Sequence, residues 1–173
     1  MSKACIFLAD GFEEIEALTV VDLLRRAKVY VDTVSITDDY TVRGAHGIPV
    51  QTEDLITEID FKESDMIVLP GGMPGTTNLK EDENVRKAVQ EAYDDGRYVA
   101  AICAAPTILA DMGLLKGKRA TCYPDMESEI EDAYLTGAPV ATDENIITSQ
   151  GVGTAIDFAL KLIEVLDGEE KAK

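Results

Sequence analysis

Short apolar or β-branched runs alternate along this chain with longer stretches of helical periodicity. That alternation predicts parallel strands joined by crossover helices. The expected strands are ACIFLA (4 to 9), VYVDTVSI (29 to 36), DMIVLP (65 to 70), YVAAIC (98 to 103), RATCY (119 to 123) and NIITS (145 to 149). The expected helices run from Glu13 to Ala27, Asn84 to Asp95, Pro106 to Met112, Met126 to Ala133 and Thr154 to Leu166. Residues Val42 to Glu53, with Gly44 and Gly47, read as a hairpin or edge excursion, and the tail DGEEKAK as a frayed end. No repeat, low-complexity tract or Pro/Ser-rich linker divides the 173 residues, so one α/β domain over 1–173 is expected.

Charge and cysteine usage narrow the function classes. With 33 acidic against 16 basic residues the formal net charge is −17, which repels phosphate backbones and anionic lipid. Nucleic acid and membrane are therefore not expected as primary partners. No apolar run is long enough to span a bilayer, and the start MSKACIFLADGFEE does not read as a signal peptide. The three cysteines, Cys5, Cys103 and Cys122, are odd in number and unevenly spaced. They suggest neither a disulfide framework nor a zinc site, and free thiols fit a cytoplasmic protein.

In an open parallel sheet, ligands bind beyond the carboxyl ends of the strands. Four such ends carry suggestive residues: ADGFEEIEA, LPGGMPG, AICAAP and TSQGVGT. Cys103 ends an apolar strand and is followed by Ala104, Ala105 and Pro106, and Pro106 suits the first turn of a helix. The pattern is that of a nucleophile elbow, in which a helix start favours the thiolate. A buried cysteine sealing the sheet is the plainer alternative. Gly71 and Gly72 could turn their amides toward a developing anion, or form an ordinary turn. The GVG step at Gly151 to Gly153 lacks a full nucleotide fingerprint and reads as a packing turn.

Glu13, Glu14 and Glu16 fall in the first turn of a helix, where the dipole favours acids. Glu16 shares an apolar stripe with Val20, Leu23, Leu24 and Ala27, and Glu13 shares one with Ala17, Val20 and Leu24. Glu14 lies beside Asp22 and Arg25, on a wetter face. A carboxyl on an apolar stripe is desolvated and holds its proton to higher pH, but spacing does not choose between Glu13 and Glu16. His46 is the single histidine, set between small residues in a loop, which points to solvent exposure or a subunit contact and excludes a histidine-rich metal site.

The stretches LADGFEEIEALTVVDLLRRA, IVLPGGMPGTTNL, AAICAAPTILADMGLLKGK and ITSQGVGTAIDFALKLIEVLDG together resemble the ThiJ/PfpI superfamily, in the branch of the parkinsonism-associated protein deglycase. The resemblance spans nearly the whole chain. It implies a flavodoxin-like three-layer sandwich with a mostly parallel central sheet, and a homodimer. It places the reactive thiol on Cys103 and its protonated carboxyl partner on Glu16. The backbone amides facing the thiol fall on Gly71 and Gly72, with Ala104 next to the cysteine. Arg26 partly matches an arginine environment at the dimer contact, and His46 falls where relatives often carry arginine. Many relatives have a histidine twenty residues after the cysteine, where this chain has Tyr123 followed by Pro124. A tyrosine hydroxyl is a poor base at neutral pH.

The activity so implied is a cofactor-free, metal-free conversion of reactive carbonyls, glyoxalase- or deglycase-like, acting on methylglyoxal, glyoxal or glycated substrates. The alternatives are a redox sensor with a stress-protective or chaperone-like role through oxidation of Cys103, and, further off, a cysteine peptidase.

Overall fold

The first strand sets the architecture. In Lys3–Leu8 (β1) the side chains alternate between two separate cores: Cys5 and Phe7 face one, and Ala4, Ile6 and Leu8 face the other. A strand apolar on both faces must be covered on both faces. The computed structural model, which describes residues 1–173, meets that requirement.

Helix α1 (Glu14–Arg26) follows, then β2 (Tyr30–Ser35), a hairpin of β3 (Thr41–Arg43) and β4 (Pro49–Gln51), and the short edge strand β5 (Asp54–Leu55). The chain continues through β6 (Met66–Leu69), α2 (Gly75–Glu81), α3 (Glu83–Asp94), β7 (Tyr98–Ile102) and α4 (Pro106–Asp111). Its last part comprises β8 (Arg119–Ala120), β9 (Tyr134–Leu135), β10 (Val140–Asp143), β11 (Ile146–Ser149), α5 (Ala155–Asp167) and α6 (Glu169–Ala172).

Seven strands form one sheet in the order β10-β11-β7-β6-β1-β2-β5. All neighbours are parallel except β10, which runs antiparallel to β11. Helices α1 and α5 cover one face, and α2, α3 and α4 the other. The central strands β2, β1, β6, β7 and β11 therefore reproduce the doubly wound flavodoxin-like order, with β1 at the point where the winding reverses. Parallel pairing brings the carboxyl ends of β1, β6, β7 and β11 to one edge.

Three segments depart from the sequence reading. Only Arg119 and Ala120 of the run 119–123 are strand, and they pair with Tyr134–Leu135 in a ribbon outside the main sheet. The helix expected over 126–133 is a 3₁₀ segment, Pro124–Ile130, in which only Ile130 is buried. Its sequence PDMESEI gives the core only Met126 and Ile130, too narrow a stripe to hold a longer α-helix. The tail forms one turn of helix, Glu169–Ala172, instead of fraying from its first residue.

Candidate active site

Cys103 follows β7 directly and is held in a left-handed conformation, φ +65°. A non-glycine residue there costs about 1–3 kcal/mol, so its surroundings must enforce it. Its amide donates to the Ser149 carbonyl at 2.9 Å, and its carbonyl accepts from the Tyr123 amide at 2.8 Å. The Ala105 amide bonds back to the Ile102 carbonyl at 3.1 Å, and Pro106 opens α4. The chain thus turns sharply at the thiol, which is partly exposed, whereas Cys5 and Cys122 are buried.

Glu16 enters from the opposite side, on the first turn of α1, and is 0% exposed. Its Oε1 accepts the Gly71 amide at 3.0 Å, while its Oε2 is buried without any hydrogen-bond partner. The close approach demands glycine at position 71. A Cβ there would stand 2.7 Å from both the Cys103 Cβ and Glu16 Oε1. The Gly71 amide is therefore spent on Glu16, whereas the Gly72 amide donates to no acceptor.

Burial pushes the Glu16 carboxyl up to about 7, against the opposing pull of the Cys103 thiol and the Gly71 amide. Since Oε1 already accepts a hydrogen bond, the retained proton belongs on Oε2, the oxygen lacking a donor. Burial, followed by the charge of an ionised Glu16, pushes the Cys103 thiol up to about 12, with the Ala104 amide acting the other way. The pull of the amide at the helix start is therefore outweighed by burial and by Glu16 while Glu16 is ionised, so the thiol is not lowered as the sequence suggests. The two groups titrate as one unit that carries a single negative charge between about 7 and about 12. Moving the proton from sulfur to Oε2 turns that charge into a thiolate beside a neutral acid.

In front of the thiol lies an open cleft of about 500 Å³, walled by Tyr123, Pro124 and the loop from Gln150 to Thr154. Gly151 sits at its floor: a Cβ added there would lie 3.8 Å from Cys103 Sγ and 3.9 Å from Glu16 Oε2. The loop read from sequence as a packing turn is thus a wall of the site. Its only signal was its position after a strand end. No lysine, arginine or histidine lines the cleft, and Tyr123 presents its ring where the resemblance leads one to expect an imidazole.

The remaining predicted residues lie elsewhere. Arg26 stands at the far end of α1, exposed and paired with Asp22 at 2.7 Å. His46, with its side chain 69% exposed, bonds to Glu14 through its ring Nδ1 at 3.1 Å. Glu14 corrects the helical-face reading, for it is only 4% exposed. The loop between β3 and β4 folds over it, and the His46 and Ile48 amides donate to its Oε2 at 2.9 and 3.2 Å. No spacing rule applied to α1 alone could register a cover supplied from 32 and 34 residues away.

Comparison with known proteins places these features in context. The model of the DJ-1/PfpI family matches residues 2–165. The chain is 40% identical to protein DJ-1 homolog B of Arabidopsis thaliana, over 98% of its own length but only 39% of that protein's. It is 34% identical to the glutathione-independent glyoxalase DJ-1 of Schizosaccharomyces pombe, covering 99% of this chain and 94% of that one. The crystal structure of Drosophila melanogaster DJ-1beta superposes with a TM-score of 0.95 at 36% identity, covering 99% of this chain and 94% of that one.

Proposed function

The chain belongs to the DJ-1/PfpI family, and on that premise we propose that it is a cofactor-independent enzyme that converts small 2-oxoaldehydes, methylglyoxal or glyoxal, into 2-hydroxy acids. Carbonyl adducts of glycated substrates fall within the same chemistry. The observation that carries the reading is the pairing of a partly exposed thiol, fixed at a strained turn, with a buried carboxyl whose Oε2 has no other partner. The glyoxalase activity named for the fission-yeast relative supports it.

The Cys103 thiolate attacks the aldehyde carbon, and a C–S bond forms as the carbonyl pair moves onto oxygen. The hemithioacetal oxygen lies near the Ala104 and Gly72 amides, which are not tied to other backbone acceptors. Glu16 gives its proton to that oxygen and, now a carboxylate, takes the proton from the former aldehyde carbon and returns it to the neighbouring carbon, while the hemithioacetal hydroxyl proton passes to the neighbouring carbonyl oxygen, which becomes the product hydroxyl. The product of that shift is a thioester. Water cleaves its C–S bond, releasing the hydroxy acid and restoring the thiol, so methylglyoxal and one water give lactate without any oxidant. A cleft without cationic side chains suits an uncharged substrate. Incubation of the purified protein with methylglyoxal, with lactate as the readout, tests the reading: activity must vanish in Cys103→Ser, and equal turnover by that variant overturns it.

One feature favours a second role. Cys103 is the sole partly exposed thiol, so oxidation to the sulfinic acid would be confined to it. Intact-mass analysis after mild peroxide should locate two added oxygens there, and equal modification of Cys5 or Cys122 would remove this alternative. For a cysteine peptidase the site lacks a histidine, since His46 is engaged with Glu14.

A homodimer fits the surface beside the cleft. Ile15 and Leu18 of α1, with Val152 in the 3₁₀ turn before α5 and Ile156 in the first turn of α5, are exposed on packed neighbouring elements. Light scattering should give twice the chain mass, with Ile156→Asp shifting it toward one. No helix is long and apolar enough to cross a membrane. Free thiols accord with a cytoplasmic setting.

A further inference from the structure

Glu13 and Glu14 begin α1 side by side, and the loop between β3 and β4 sets His46 against both. Nδ1 of His46 lies 3.1 Å from Glu14 Oε1 and 3.4 Å from Glu13 Oε2, and one donor atom from each residue falls within 4.8 Å of the others. We propose that Glu13, Glu14 and His46 form a binding site for a divalent transition-metal ion, with zinc as the best-matched occupant.

The separations are the first argument. Zinc bonds to nitrogen and oxygen at roughly 2.0–2.1 Å in tetrahedral geometry, which spaces its donor atoms about 3.3 Å apart. Two of the three edges already stand at that spacing. The third closes with a rotation of the Glu13 carboxylate, whose one hydrogen bond is a long one of 3.2 Å from the Ile15 amide. One imidazole and two carboxylates leave the fourth position to water, and the exposed His46 ring admits it.

The support behind the donors is the second argument. Glu14 Oε2 is held by the His46 and Ile48 amides at 2.9 and 3.2 Å, which fixes the carboxylate and leaves Oε1 turned toward the imidazole. Such outer bonds orient metal-ligating carboxylates. Glycine at position 44 is what lets the loop reach this carboxylate, since a Cβ there would come within 2.3 Å of the Glu14 carboxyl carbon.

Charge is the third argument. Neither carboxylate is paired with a lysine or arginine, so one imidazole is all that offsets two adjacent acids. The partial positive charge of the helix start opposes a cation, but it is about half an elementary charge against two full negative ones.

The test is titration of Zn²⁺ into the untagged full chain by calorimetry, with Co²⁺ absorption as a second readout. One ion per chain is expected for the wild type and for Cys103→Ala. His46→Gln, at an exposed position that leaves folding intact, should weaken binding at least tenfold, and Glu13→Gln should do the same. No saturable binding at millimolar zinc would overturn the proposal, showing the cluster to be an ion pair only. Binding that survives His46→Gln, or that is lost in Cys103→Ala, would place the metal elsewhere and overturn it equally.

Discussion

Glu16 presents one carboxyl oxygen to the Gly71 amide at 3.0 Å and keeps the other, equally buried, without a donor beside Cys103. That asymmetry assigns the proton to Oε2 and makes the carboxyl and the thiol one titrating unit.

Thiol reactivity should follow that unit. In the wild type, alkylation of Cys103 by iodoacetamide should rise with a midpoint near pH 7, where the pair loses its first proton, and then level off toward the second near 12. Glu16→Gln removes the internal base. Its thiol must ionise alone in a buried place, so its midpoint should exceed the ordinary value of 9.0. At pH 7.5 the variant should react at least roughly tenfold more slowly, and its carbonyl turnover should fall by about 10²-fold or more. Superimposable pH profiles would contradict the coupling.

The same carboxyl has a stability signature of definite sign. Its folded value, about 7, lies above its ordinary 4.5, so the folded chain holds a proton that the unfolded chain has released. The associated stability is fully present below about 4.5 and is lost as pH rises through about 7. The full displacement corresponds to roughly 3 kcal/mol. Glu16→Gln escapes this loss, so its melting temperature relative to wild type should improve by several degrees between pH 4.5 and pH 8. Scanning calorimetry of both proteins at the two pH values measures it, and an unchanged difference would mean that Glu16 is ionised throughout.

Tyr123 tests how far the site depends on a proton shuttle at that position. Its backbone amide holds the Cys103 carbonyl at 2.8 Å, and its ring stands beside Gly151. Tyr123→Phe keeps both features and removes only the hydroxyl. Turnover of methylglyoxal should stay within about twofold of wild type, because proton transfer rests on Glu16. A hundredfold loss would give the hydroxyl a chemical role.

What the sequence made legible was set by short-range pattern. The runs around β1, β6 and β7 are apolar on both faces, so they could only be central strands, and Cys103 had to follow one of them. Glu16 announced its burial by sharing a stripe with Val20 and Leu24. Glu14 did not, because its cover comes from a distant hairpin loop, through the His46 and Ile48 amides. The segment after Ala120 misled for a related reason: Thr121 and Cys122 have strand-forming side chains, but no neighbouring strand is available to them. The role of the Gly71 amide was invisible too, since which acceptor an amide meets is a tertiary fact.

Two glycines at the thiol should respond oppositely to one added methyl. At Gly71 the new Cβ would stand 2.7 Å from the Cys103 Cβ and 2.9 Å from the Ile102 carbonyl oxygen, and neither belongs to a flexible end. Gly71→Ala should therefore displace the elbow or Glu16, lowering the melting temperature and abolishing carbonyl turnover. At Gly151 the backbone is extended, φ 166°, and the new Cβ would meet Cys103 Sγ and Tyr123 Cδ2 at ordinary contact distances of 3.8 Å. Gly151→Ala should melt within about a degree or two of wild type, in line with the small cost of an unclashing substitution. The methyl would still narrow the approach to the thiol, so alkylation by a bulky maleimide should slow more than alkylation by iodoacetamide. Equal slowing of both reagents would mean that the cleft over Gly151 is not the route by which ligands reach Cys103.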